Sequence, residues 1–146
     1  MTNKETGIGA PVPRREDDRF LRGAGEFSND IVMPGALTAV VLRAPIPHGE
    51  ILAIDTTAAL AAPGVHAVLT AADLADEITG PMPTYSTTPP FDIGRRDGGN
   101  AAEAAQYPLA RERVRYLGEP VAFIVAATLH QAQDAAELIA VDYQPL

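Results

Sequence analysis

The spacing of hydrophobic and polar positions along this chain changes several times, and each change marks an element. After a Pro34-Gly35 turn, residues 36–43 are rich in aliphatic and β-branched side chains, which predicts a strand. A second strand is expected over 50–54, past Pro45, Pro47 and Gly49. Asp55 and Thr56 then stand at the N-cap of an Ala-rich helix over 57–62, which Pro63-Gly64 stops. Residues 65–69 read as a third strand, and Thr70-Ala-Ala-Asp73 has capping-box spacing that opens a brief helix through Leu74. From 76 to 108 the regular pattern vanishes among Pro81, Pro83, Pro89, Pro90 and the Gly98-Gly99-Asn100 break. A loop of that length is uncommon in a compact domain unless it binds something or is disordered.

Regularity returns with an alternating strand over 114–116, a Gly118-Glu119-Pro120 turn, and an unbroken apolar strand over 121–127. Val125 in that strand is expected to be buried. Thr128-Leu-His-Gln131 forms a capping box, and Ala132, Ala135, Ala136 and Ile139 recur at helical spacing on one face. A strand over 140–143 closes the chain. This order of elements argues an α+β domain with two main helices packed on a mixed sheet and a long irregular loop. Ahead of it, residues 1–13 read as a disordered lead-in, and 14–30 as a charged extended arm or short turn. That arm anchors through Phe20, Leu21 and Phe27, its only large apolar groups. The division is therefore 1–33 and 34–146, with the loop at 76–108.

Composition narrows the chemistry. Hydrophobic content is 47%, but aromatic content is 5% and Trp is absent, so the core must be built from Ala, Val, Leu and Ile. A net charge of −8 repels phosphate backbones and anionic membrane surfaces, which argues against nucleic-acid partners. No apolar run approaches a membrane span, and acidic Glu16-Asp17-Asp18 follows Arg14-Arg15 where a twin-arginine signal needs apolar residues. A cytoplasmic location is expected. The absence of Cys removes disulfides, thiolate nucleophiles and cysteine-held metal clusters, and Lys4 is the single lysine, which argues against a lysine-borne cofactor.

Local motifs for chemistry are weak. Gly7-Ile-Gly9 and Gly23-Ala-Gly25 lack the flanking strand and helix of a dinucleotide fingerprint. His48, His66 and His130 do not share metal-ligand spacing. The carboxylates cluster in the arm or on helix faces, and none is marked by apolar neighbours as an acid or base. Glu119 is the exception in position, because it lies between two core strands and must reach solvent or find a partner. Either an exposed turn residue or a structural carboxylate bonding an arginine or a backbone N–H across a domain interface satisfies that requirement. Arg14, Arg15, Arg19, Arg22 and Arg43 present the same choice between solvated charge and interface ion pairs.

Several stretches in this order carry a resemblance. They are Arg14-Arg-Glu-Asp-Asp-Arg-Phe-Leu21, Pro34-Gly-Ala-Leu37, Arg43-Ala-Pro-Ile-Pro-His48, Pro63-Gly-Val65, the segment from Arg111 to Thr128, and Val141-Asp-Tyr-Gln-Pro-Leu146. Together the chain resembles the amino-terminal domain of the molybdopterin-binding large subunit of molybdenum hydroxylases. That family includes xanthine dehydrogenase, aldehyde oxidase and aerobic carbon monoxide dehydrogenase. The resemblance implies an α/β-hammerhead fold and a structural role beside the remaining molybdopterin-binding domains, with iron–sulfur and flavin domains or subunits as further partners. It assigns molybdopterin to the complete subunit and none to this chain alone, and no catalytic, cofactor or metal residue can be matched here. Arg14, Arg15, Arg19, Arg43 and Glu119 are the candidate interdomain contacts. Pro47 and Gly49 depart from the family, which more often has alanine beside the His48 position. The alternative reading is a free-standing hammerhead adaptor or small-ligand binding module.

Overall fold

A computed structural model describes residues 14–83, 94–98 and 105–146. The chain divides into two compact units, 1–35 and 36–146. The lead-in over 1–13 and the middle of the long loop, with Tyr85 and Phe91, lie outside the described residues.

Of the extended arm and the short turn left open for residues 14–30, the short turn is the form observed. Asp17–Leu21 forms a short helix, α1, and Ser28–Asp30 a 3-10 turn. Local polar bonds account for both. The Asp17 carboxylate accepts from the Arg14 amide (3.1 Å), Asp18 accepts from Arg22 Nε (2.9 Å), and Asp30 accepts from the Phe27 amide (3.0 Å). These close turns whose backbone groups would otherwise depend on water. Phe20 and Phe27 stack with ring centroids 5.7 Å apart, across Gly25, where a Cβ would press on the Phe20 ring.

In the second unit the strands are β1 (Thr38–Arg43), β2 (Gly49–Asp55), β3 (Val65–Thr70), β4 (Arg113–Val114), β5 (Pro120–Ala126) and β6 (Ala140–Pro145). The helices are α2 (Thr57–Leu60) and α3 (Leu129–Glu137). The α+β class stands as the sequence implies. The strands, however, divide between two three-stranded sheets, ordered β1-β5-β3 and β4-β2-β6, where one sheet was expected. The four strand pairings are antiparallel. The cause lies in the β1–β2 connection. Pro45 and Pro47 carry no N–H and cannot continue a ladder, so β2 leaves the neighbourhood of β1 and pairs with β4 and β6.

Three further elements are shorter than the sequence suggests. The helix after Asp55 ends at Leu60. Residues 71–77 form turns rather than a helix, although the Asp73 carboxylate takes both the amide and the hydroxyl of Thr70 (2.7 Å each), the bond that the capping-box spacing implies. β4 stops at Val114, because the Arg115 amide donates to the Glu119 side chain and the chain turns away.

The core follows strand alternation. Ala122, Ile124 and Ala126 of β5 point to one face with Val68, and they are covered by Ala59 of α2, Ala132 and Ala135 of α3, and Ile139. The alanines of α3 let the helix lie close to the sheet. Val125 is half-buried and points to the opposite face, so the buried strand position is Ile124 and not Val125. A second cluster joins Ala44, Ala110, Val114 and Val121. Ile54 and Val141 pack against both clusters and tie the two sheets together. Thr128 caps α3 as expected: its hydroxyl accepts from the Gln131 amide (3.3 Å) and donates to the Gln131 side-chain oxygen (3.0 Å).

Candidate functional site

The candidate contacts fall in both units. In the first, Arg14, Arg15 and Arg19 are exposed. Arg14 enters the helix start through its backbone, and Arg19 lies over the Phe20 ring at 5.3 Å. Neither carries an ion pair among the described residues, whereas Arg22 is taken up by Asp18 (2.8 Å). The apolar side chains of this unit are also displayed: Leu21 is 88% exposed, Phe27 65% and Val32 86%, with Ile31 and Met33 exposed on either side of Val32. The run from Ile31 to Met33 escaped the sequence reading, although three consecutive apolar residues before a Pro-Gly turn are a visible signal.

In the second unit, Arg43 and Glu119 come together at one end. Arg43 Nη1 donates to Gly118 O (2.9 Å), Ala44 N donates to Glu119 O (2.9 Å), and Gly118 N donates to Ala44 O (2.9 Å). Glu119 is 8% exposed, and its Oε2 accepts from the Arg115 amide. Of the readings open to Glu119, the structural carboxylate on a backbone N–H is the observed one, with the partner in its own turn. The turn displays Tyr116 and Leu117, which the sequence reading placed in or beside a strand. Gly118 at φ +84° is the turn residue, and the turn begins two residues earlier than the Gly118-Glu119-Pro120 pattern suggests.

Other features carry less. His48, His66 and His130 are exposed, and no group of three or more His, Cys, Asp and Glu side chains suited to a metal ion occurs among the described residues. An open groove of about 470 Å³ is lined by Glu50, Ile51, Leu52, Glu112, Arg113 and Arg115. Arg113 is spent on Glu50 (2.8 Å), and Glu112 stands beside the guanidinium that remains, Arg115, so the lining offers no net positive charge and does not fit an anionic cofactor such as a pterin phosphate. At the base of the long loop, Met82 pairs with Gln106, Arg111 donates to Ile78 O (2.7 Å), and Arg111 stacks on Tyr107 at 3.9 Å. The loop's two ends are thus clasped, an order its proline content did not reveal. Two carboxyls are held below the usual range. The hydroxyl and then the amide of Thr70 do this to Asp73, and Thr57 does the same to Asp55. Burial pushes the Tyr143 phenol up. No described helix is long and apolar enough to cross a membrane.

Residues 22–146 match the model of the family described as aldehyde oxidase and xanthine dehydrogenase, a/b hammerhead domain. The chain belongs to that family. The hammerhead domain is 39% identical over 140 residues to the nicotine 6-hydroxylase large subunit of Paenarthrobacter nicotinovorans, covering 95% of this chain and 16% of that subunit. It is 40% identical over 143 residues to the carbon monoxide dehydrogenase large chain of Afipia carboxidovorans, covering 98% of this chain and 16% of the other. Among solved structures, it resembles Cu,Mo-CO dehydrogenase with TM-score 0.78 and 40% identity, over 96% of this chain and 16% of that one. Quinoline 2-oxidoreductase from Pseudomonas putida 86 matches with TM-score 0.79 and 38% identity, over 95% and 16%. The hammerhead fold implied by the sequence is therefore the fold of this chain. It spans about 16% of the length of the relatives it matches.

Proposed function

We propose that this hammerhead domain is an amino-terminal structural part of a molybdenum hydroxylase large subunit in the cytoplasm. It packs against the molybdopterin-binding domains, and iron–sulfur and flavin domains or subunits complete the electron path. By itself it is inactive and holds no molybdopterin. The observation that carries this reading is the display of large apolar groups on a domain whose relatives are about six times longer. Leu21, Phe27, Ile31, Val32, Met33, Tyr116 and Leu117 are each more than half exposed, and such surfaces mark packing against further protein. Arg14, Arg15, Arg19 and Arg43 supply cations for carboxylates on those domains, and Glu119 shapes the contact from inside its turn. When bound, the molybdenum cofactor would supply hydroxylation at carbon from groups this domain does not provide.

The test is to express the 146-residue chain alone and with the coding sequence for the remaining domains of the subunit. Alone, the chain is expected to contain no stoichiometric molybdenum and to show no turnover in a dye-linked assay on aldehydes and purines. Co-expressed, it is expected to purify as a stable assembly that contains molybdenum. A chain that holds molybdenum or turns over unaided would refute the structural role, and one that never joins the remaining domains would favour a free-standing adaptor.

A further inference from the structure

The turn at Tyr116–Glu119 is built more firmly than a surface connection requires. Glu119 N donates to Tyr116 O (3.2 Å), closing a four-residue turn. Leu117 keeps a negative φ and Gly118 takes +84°, the pattern of a type II turn in which only glycine sits easily at the third position. From beneath, the buried Glu119 carboxylate accepts from the Arg115 amide, so the residue before the turn is fixed as well. From the side, the Arg43–Ala44 strand end grips it by two reciprocal backbone bonds and by the guanidinium on Gly118 O. What this framework holds out is apolar: Tyr116 is 51% exposed and Leu117 67%. A solvent turn has no need of a leucine at its tip, and a type II turn accepts polar residues there.

Rigid aromatic and aliphatic anchors lose little conformational entropy on binding, and side chains of this kind dominate the energetics of interfaces. Arg43 adds a directional element. It is exposed and, among the described residues, has no carboxylate partner, in a chain whose net charge is −8. We propose that Tyr116 and Leu117 form a preorganised knob that enters an apolar recess on the remaining domains of the large subunit, with a carboxylate at the rim of that recess for Arg43. This rests on the structural reading given above and names the contact through which it operates. Glu119 then acts as a positioning residue that keeps the knob in its bound shape before the partner arrives.

The experiment co-expresses the remaining domains with two copies of this chain, one tagged variant and one untagged wild type, and measures the ratio incorporated into the assembly. Leu117→Asp and Tyr116→Ala are expected to be under-represented by about thirtyfold or more, the hot-spot range. Leu60→Asp, at a leucine of similar exposure on α2, is the control and should compete equally. Tyrosine nitration located by mass spectrometry gives a readout that needs no variant. Tyr116 should react in the free chain and be protected in the wild-type assembly. If the wild-type assembly forms but Tyr116 nitrates as fast as in the free chain, or Leu117→Asp competes as well as Leu60→Asp, the knob is refuted while the structural role stands. If no wild-type assembly forms, both fall.

Discussion

In residues 36–146 alternation hides a set of aliphatic side chains that forms the core. Ile124, Val121 and Val114 are fully buried, and neighbours from two sheets and two helices close over them. Residues 14–35 also carry large apolar groups and bury none of them: Phe20, Leu21, Phe27, Ile31, Val32 and Met33 are all exposed. What orders the first unit is local, namely carboxylates on backbone amides one turn away and one aromatic stack. A five-residue helix gains too few bonds to hold itself by propensity. One sequence thus contains two kinds of order, one built on a buried core and one built on local polar bonds with its apolar side chains exposed.

The largest test of that contrast compares truncations in the two units. Ile124→Ala opens a cavity between β5 and α3 and is expected to cost about 2–5 kcal/mol. Val32→Ala, at an exposed position, should stay within about 0.5 kcal/mol in the isolated chain. Denaturant melts read both. A loss of more than about 1 kcal/mol from Val32→Ala would show that the first unit already shares in the stability of the isolated chain. Next in size is Glu119→Ala, which removes a charge-assisted bond to the Arg115 amide and leaves that donor short of a partner. The expected cost is about 1.5–3 kcal/mol. Retained stability in Glu119→Ala would mean that the backbone grip of residues 43–44 suffices to hold the turn. Thr128→Ala, which strips the cap from α3, is expected to cost about 1 kcal/mol and should be visible in the same melts.

The parts of the fold that were legible in the sequence are those where one periodicity governs. The Ala-spaced α3, its Thr128 cap and the apolar β5 could be read because the side chains that define them also bury them. The strand before the Gly118 turn was read too long because a single polar side chain overrode the period: the Glu119 carboxylate ended β4 early. Helix formation in 17–21 was hidden because its determinants are i,i+3 and i,i+4 polar bonds in a segment with almost no apolar pattern. The split into two sheets depended on two prolines whose effect on pairing is known only once the partners are known. Arg43 and Glu119 stood out as residue types, but the bond of Arg43 to Gly118 O, 75 residues away in sequence, was not legible. Nothing in local spacing encodes which turn a strand end will grip.

The smallest expected effects concern pH, and they separate the two edges of the larger unit. Asp73 titrates below the usual carboxylate range because the Thr70 hydroxyl, and then its amide, stabilise the charged form. A lowered folded-state pKa contributes stability that is complete above the ordinary carboxylate range and is lost as pH falls through the lowered value. Tyr143 is the opposite case. Burial beside the Val121 cluster favours its neutral form and raises its pKa. That contribution is complete below the ordinary phenol value of 10.0 and is lost as pH rises through the raised one. Asp73→Asn should therefore flatten the acid limb of a stability–pH profile without touching the alkaline limb, and Tyr143→Phe should do the reverse. Both effects should be smaller than that of Thr128→Ala, since Asp73 is largely solvated and Tyr143 only half-buried. An alkaline limb unchanged in Tyr143→Phe would show that burial of this phenol does not couple to stability.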